Sequence, residues 1–358
     1  MKEMTPRERV MTALRGGIPD RVPWGEAAVD WKLQVRLMEG RVDFKPAEFC
    51  RKMGMSCLTN LVTIENKGDR SEAQHRQAMR LFDFTPPWIA EMAVDDYSGR
   101  RFVRKGLLTT RDSLTLFDSF LPDPDDPASY EDAARMLEAF QDDFAVFARF
   151  RTGSASMLVS MGIDQFAYNV FDQPDFVKEA HRRFSEWSAR VVEHLNKLNF
   201  DFYWVFDDLA DTHGPWMDMT IYHEFFQPYQ KMVADAIKKP WIFHSDGNIL
   251  PILDGILTLG MDGIHSIQPS AMDINEVKRK YGEKICIIGN IDLDYTLTQG
   301  TPEEVDQEVK ERINYVGRNG GYIISSANSL TEYCKTENVW AMAEAIKKYG
   351  KYPLTSVP

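Results

Sequence analysis

The chain has 358 residues, 44% of them hydrophobic, enough to bury a large core as one big barrel or two medium domains. Its 42 basic and 54 acidic side chains leave a net charge of −12, which argues against nucleic acid or an anionic membrane as partner and disfavours a polyanionic substrate unless cations gather locally. Four cysteines (Cys50, Cys57, Cys286, Cys334) form no CxxC pair, and neither a signal-like start nor an apolar run of spanning length occurs, so a cytoplasmic protein with reduced thiols is expected.

Thr5, Pro6 and Glu8 have the form of a capping box, and a helix should run from there to about Arg15 before Gly16 and Gly17. Val22–Ala28 is the first strand expected, carrying one acid, Glu26, towards a site. Trp31–Met38 has helical spacing, and Cys57–Ile64 reads as the second strand. From about 68 to 126 the pattern turns irregular, too long for an ordinary connection; within this insertion Arg100–Arg104 and Leu107–Thr110 are expected to pair as a hairpin. Helical spacing returns at Ala128–Asp142. Phe144–Phe150 is the third strand, followed by helices over Ala155–Phe171 and Gln173–Leu198.

The stretch from Asp201 to Asn248 organises the rest. Asp201–Phe206 is an apolar run that stops at Asp207 and Asp208, and Pro240–Phe243 is another that stops at His244, Ser245, Asp246, Gly247 and Asn248. Buried parallel strands are short apolar runs, and ligands collect at their carboxyl ends, so these polar bursts mark a site. A helix over Met219–Lys239 joins the two runs as a crossover unit. Gly263–Ile267, Ile285–Ile288 and Gly321–Ile324 continue the series as strands six to eight, alternating with helices to Tyr349. Eight strands alternating with helices predict one (β/α)8 TIM barrel over residues 1–358, with the insertion after the second strand.

The motifs Phe206–Leu209, Gly214–Pro215, Phe243–Asn248, Ile267–Pro269, Gly289–Asp292, Gly300–Glu304, Gly320–Ile324 and Glu337–Val339, taken in order, resemble the uroporphyrinogen decarboxylase superfamily. The resemblance implies a distorted TIM barrel that either decarboxylates or transfers methyl groups with a corrinoid. Its decarboxylases carry an arginine-containing segment where this chain has Val22–Ala28, so the polyanionic porphyrinogen lacks guanidinium partners there. Its thiol-activating methyltransferases use a His-x-Cys zinc pattern with a later cysteine, here replaced by His244-x-Asp246 with Cys334 displaced. The O-demethylase branch has an acid, acid, histidine zinc pattern whose spacing falls on Asp208, His223 and His244, with histidine in place of the middle acid.

The resemblance therefore implies a corrinoid-dependent methyltransferase taking a methyl group from a small donor, a methoxylated arene first. It implies zinc on Asp208, His223 and His244, with Asp246 and Cys334 as further ligands. Asp207, Asp208 and His244 are the catalytic candidates, one of them supplying a proton if no metal is held. Trp24, Glu26, Tyr203, Trp216 and Asn290 are the substrate-contact candidates, the aromatic residues as walls of an arene pocket. Cobalamin would come on a separate corrinoid protein, since no Asp-x-His-x-x-Gly motif occurs in this chain. A homodimer is a further implication of the resemblance.

Several of these residues have blander readings. Asp207 and Asp208 would also cap a turn, Asp246 would also cap the following helix, and Cys334 would also serve as a small buried residue. His265, inside a strand, reads as a satisfied core histidine. Two other functions stay open: a decarboxylase using Arg101, Arg104 and Arg111 for anion contacts, and a non-catalytic barrel that binds a corrinoid protein.

Overall fold

The computed structural model describes residues 3–58, 83–94, 101–140 and 142–354. The capping box at the start is formed: Glu8 N donates to Thr5 Oγ1 (3.2 Å) and Thr5 N to Glu8 Oε2 (2.7 Å), opening a helix at Pro6–Leu14. Strands follow at Cys57–Leu58 (β1), Ala90–Val94 (β2), Arg101–Gly106 (β3), Ala145–Phe150 (β4), Phe202–Phe206 (β5), Trp241–His244 (β6), Gly263–His265 (β7), Cys286–Ile288 (β8) and Tyr322–Ile323 (β9). Seven of them form one sheet in the order β1-β4-β5-β6-β7-β8-β9, all pairs parallel. Helices between successive strands supply the crossovers that parallel pairing requires.

The first predicted strand, Val22–Ala28, contributes single bridges instead of a ladder. Gly25 N donates to Ile324 O (3.0 Å) and Ile324 N to Pro23 O (3.0 Å), while Ser56 N donates to Trp24 O (2.7 Å). The segment thus bonds to residues flanking both edge strands, the arrangement of a TIM-type α/β barrel with an irregular first strand. Residues 59–64 of the second predicted strand lie outside the described residues. The hairpin of the insertion is made by Ala90–Val94 with Arg101–Gly106, so the expected pairing of Arg100–Arg104 with Leu107–Thr110 is corrected. Gly106 explains the difference: a Cβ there would lie 2.4 Å from Ser160 O, and Leu108 N already bonds that carbonyl, so the chain past Gly106 is committed to the end of the helix Ser154–Met161.

Two apolar layers hold the fold. One fills the barrel: Ala145 and Phe147 from β4, Phe202, Trp204 and Phe206 from β5, Ile242, Ile288 and Ile323, with Val10, Ala13 and Leu14 of the first helix plugging one end. The other lies between sheet and helices and takes the alternate residues, Val146, Ala148 and Phe150 from β4 and Tyr203 and Val205 from β5. Each buried valine, leucine, isoleucine or phenylalanine among them contributes roughly 1.5–3 kcal/mol. This alternation decides which polar residues at the strand ends point into the barrel mouth.

The helix expected over Ala155–Phe171 is two helices, Ser154–Met161 and Ile163–Asp172, broken at Gly162, whose φ of 89° lies in the region that favours glycine. The helix from Met219 contains a π-turn at Tyr222–Phe226, and a short helix at Pro46–Met53 has no counterpart in the sequence reading. No helix among the described residues is long and apolar enough to cross a membrane.

Candidate metal centre at the barrel mouth

On β5, residues 202, 204 and 206 face the interior, so Asp208 continues inward and Asp207 outward. On β6 the interior positions are Ile242 and, two residues on, His244, which lies opposite Phe206 on one side and His265 on the other. After His244 the chain turns at Gly247, with φ of 78° and no room for a Cβ, which would lie 2.4 Å from Asp211 O. That close turn returns Asp246 over the mouth, where its N donates to Asp208 Oδ1 (3.1 Å).

Asp208, His244 and Asp246 are brought together. His244 Nε2 lies 3.6 Å from Asp208 Oδ1 and 3.6 Å from Asp246 Oδ1. These donors are too far apart to bond one another well, yet all three ligating atoms fit within 4.8 Å, close enough to share one ion. Asp246 is held by Ser266 Oγ (3.1 Å) on Oδ1 and by Asn328 Nδ2 (2.6 Å) on Oδ2. Burial pushes its carboxyl above the usual range; His244 opposes that and Asp208 adds to it. A cation between the two carboxylates would offset their repulsion.

His265 completes the arrangement. Its Nδ1 lies 2.7 Å from His244 Nδ1, and burial, helped by His244, holds it well below the usual histidine range. A neutral His265 that accepts from His244 Nδ1–H leaves the His244 Nε2 lone pair aimed between the carboxylates, the tautomer a metal ligand needs. The sequence alone reads His265 as a core histidine, and it is fully buried, but it also bonds His244. Its place two residues before the end of the Gly263–Ile267 run, next to the His244 strand, was the available signal.

The other predicted residues lie elsewhere. Asp207 is fully buried on the outer face, accepting from Thr152 Oγ1, Ala155 N (2.9 Å) and Gln230 Nε2 (3.4 Å); burial pushes it up to about 7. It ties the helix that starts at Ser154 to β5 and stands apart from the triad. Tyr203 also faces outward, its hydroxyl donating to Asn196 Oδ1 (3.2 Å). His223 is exposed on the π-turn with Nδ1 on Gln227 Oε1 (2.6 Å) and stands apart from the cluster of Asp208, His244 and Asp246. Cys334 is buried beside Thr331 and falls outside the cluster, its thiol pushed up by burial.

Trp24 and Glu26 form a closed pair. Trp24 Nε1 donates to Glu26 Oε1 (2.7 Å), which also accepts from Ser326 N (2.8 Å), and Ser326 Oγ donates to Oε2 (2.6 Å). Fully buried, Glu26 is pushed up to about 7. Asn290 spends its amide on Ile267 O and its carbonyl on Arg312 Nε (3.0 Å), so neither end is offered to a ligand. Trp216 is half-buried in the loop after Asp208, where its N donates to Leu209 O (3.0 Å). A cleft of about 300 Å³ opens beside Asp246, lined by Gln268, Asp292, Asn328, Ser329 and Thr331 among others, with no lysine or arginine.

Residues 135–349 match the model of the family described as Uroporphyrinogen decarboxylase (URO-D). A uroporphyrinogen decarboxylase of Dechloromonas aromatica (strain RCB) is 25% identical over 193 residues, 51% of each chain. One of Trichodesmium erythraeum (strain IMS101) is 28% identical over 174 residues, 47% of this chain and 46% of that one. The chain therefore spans about half the length of the curated relatives it matches. A solved methyltransferase from Methanosarcina mazei superposes with a TM-score of 0.66, covering 97% of this chain and 99% of that one at 16% identity, a likeness of fold. With its family match covering more than half of its length, the chain belongs to the uroporphyrinogen decarboxylase family.

Proposed function

We propose that this chain is a methyltransferase that removes a methyl group from a small methylated donor, a methoxylated arene first, with a corrinoid carried by a separate protein as acceptor. The observation that carries the reading is the convergence of Asp208, His244 and Asp246 on one point at the strand ends, backed by His265. Zinc held by Asp208, His244 and Asp246 would supply Lewis acidity at the donor's ether oxygen, which turns a poor leaving group into a better one.

The chain's own residues prepare that place. His265 fixes the ring of His244, Ser266 and Asn328 fix both oxygens of Asp246, and the Gly247 turn sets the height of Asp246 over the mouth. Phe206 packs 4.6 Å from the His244 ring and offers an aromatic floor beside it.

Decarboxylation, the activity in the names of the curated relatives, is the second reading. The acidic cleft beside Asp246 is repulsive to a polycarboxylate, and Arg104 and Arg111 are exposed in the insertion. The test is methyl transfer from a panel of methoxyarenes to a reduced corrinoid protein, using the parent and Asp208→Asn. Product from the parent and a fall of at least about tenfold in the variant is expected. Transfer that survives loss of both Asp208 and His244 would take the triad out of the reaction, transfer that proceeds equally without the chain would point to a non-catalytic binding role, and decarboxylation without any methyl transfer would replace the reading.

A further inference from the structure

On β4 the interior positions are Ala145 and Phe147, and the next in that series is Arg149, a charge placed inside an apolar barrel. Its guanidinium lies 4.3 Å over the Phe206 ring, and Phe206 in turn packs 4.6 Å from His244. Two residues on, Arg151 lies 5.4 Å over the ring of Trp88, brought there by the chain that enters beside Arg149. Arg149, Arg151 and Trp88 thus gather beside Phe206, the ring that also packs against His244.

This corner is short of acceptors. Arg149 Nε, Arg151 Nε and Trp88 Nε1 are all buried without a hydrogen-bond partner among the described residues. Buried donors are rarely left in that state, and a cluster of three asks for an acceptor that the protein does not supply. Among the described residues Asp83 reaches Arg149 Nη2 at 3.4 Å and leaves its own Oδ1 unpartnered, a loose engagement that does not occupy the Nε edge, and Asp207 meets Arg151 through charge with no hydrogen bond to its Nε. Burial works against the charge of Arg149, Asp83 works for it, and the like charge of Arg151 works against it again. An incoming anion would relieve all three deficits at once.

We propose that Arg149, Arg151 and Trp88 Nε1 form an anion subsite that holds a carboxylate carried by the methyl donor, with the donor's ring along Phe206 and its methyl group directed to His244. The choice of donor rests on the methyl-transfer reading; the anion subsite does not. Guanidinium groups suit the part because their planar N–H edges match a carboxylate, and Phe206 touches both corners, with Arg149 4.3 Å over its ring and His244 4.6 Å from it. The opposite polarity of the two corners would orient a donor that is anionic at one end and an ether at the other. It would also reject one with carboxylates at both ends.

The test is calorimetric binding of 4-methoxybenzoate and of its uncharged isostere 4-methoxytoluene to the full chain. Charged hydrogen bonds of this kind predict that the parent binds the benzoate at least about tenfold more tightly than the toluene. Arg151→Gln should remove most of that preference and leave toluene binding as it was, and Arg149→Gln should do the same. If Arg149→Gln melts or fails to fold, Arg151→Gln, on the partly buried rim, decides. Equal binding of both probes by the parent, a preference that survives in both variants, or binding of inorganic phosphate as tight as that of the benzoate would overturn the proposal. A preference confirmed by the variants with no methyl transfer in any assay would keep the subsite and remove the methyl-transfer reading instead.

Discussion

The two corners of the barrel mouth are built from the same kind of position, interior residues at strand ends, yet they are finished differently. In the acidic corner both oxygens of Asp246 have side-chain donors, Asp208 receives a backbone N–H, and His244 is held by His265. In the basic corner three buried N–H groups have no acceptor among the described residues. The acidic corner is braced by the protein around a point that a cation would fit; the basic corner presents donors that an incoming acceptor would meet. Rigid support on one side and unmet donors on the other is what a site that positions a metal and captures a substrate requires.

The largest effects should come from breaking the acidic corner. Asp246→Asn keeps the side-chain shape but removes the charge and one acceptor oxygen, and zinc affinity measured by competition with a chelator should fall by at least about 10–100-fold. Equal affinity in parent and variant would take Asp246 out of the ligand set.

Next in size is the pH dependence of stability. Burial raises Asp207 from 3.8 to about 7 and Glu26 from 4.5 to about 7, so between those values the folded state holds protons that the unfolded state has released. Their contribution is full below the unfolded values and is lost as pH rises through about 7. Glu26→Gln should therefore flatten the fall in melting temperature between pH 4 and 7, on the order of those limits, while Asp207→Asn does so without changing zinc affinity. An Asp207→Asn variant that loses the metal would move Asp207 into the site. The smallest effect is expected at His223: exposed and bonded to Gln227, it should be replaceable by alanine with unchanged metal binding, checked in the same competition assay.

Much of this was legible in the chain. The strands after Asp201 were readable because buried parallel strands are continuous apolar runs with abrupt polar ends, and Asp208 and His244 sit at two such ends. What an apolar run hides is which face each residue takes, since both faces are buried. Counting by twos places Asp207 and Tyr203 outward and Arg149 inward, and this parity separates the candidate ligands from the structural acid.

His223 matched a spacing along the sequence, but a helix with a π-turn carries it to the surface, and linear spacing does not encode that rotation. Asp246 was ambiguous between a cap and a ligand because the decisive feature is the Gly247 turn, which is tertiary: it depends on the Asp211 carbonyl of another loop. The unmet donors of Arg149, Arg151 and Trp88 were out of reach for the same reason. An empty hydrogen-bond position is a property of what surrounds a residue.

The most direct measurement is the metal content of the purified protein beside that of His244→Ala, by elemental analysis. About one zinc per chain in the parent and none in a folded variant is the predicted result. A folded parent that takes up no metal even when supplied with zinc, or a variant that retains it, would contradict the centre formed by Asp208, His244 and Asp246.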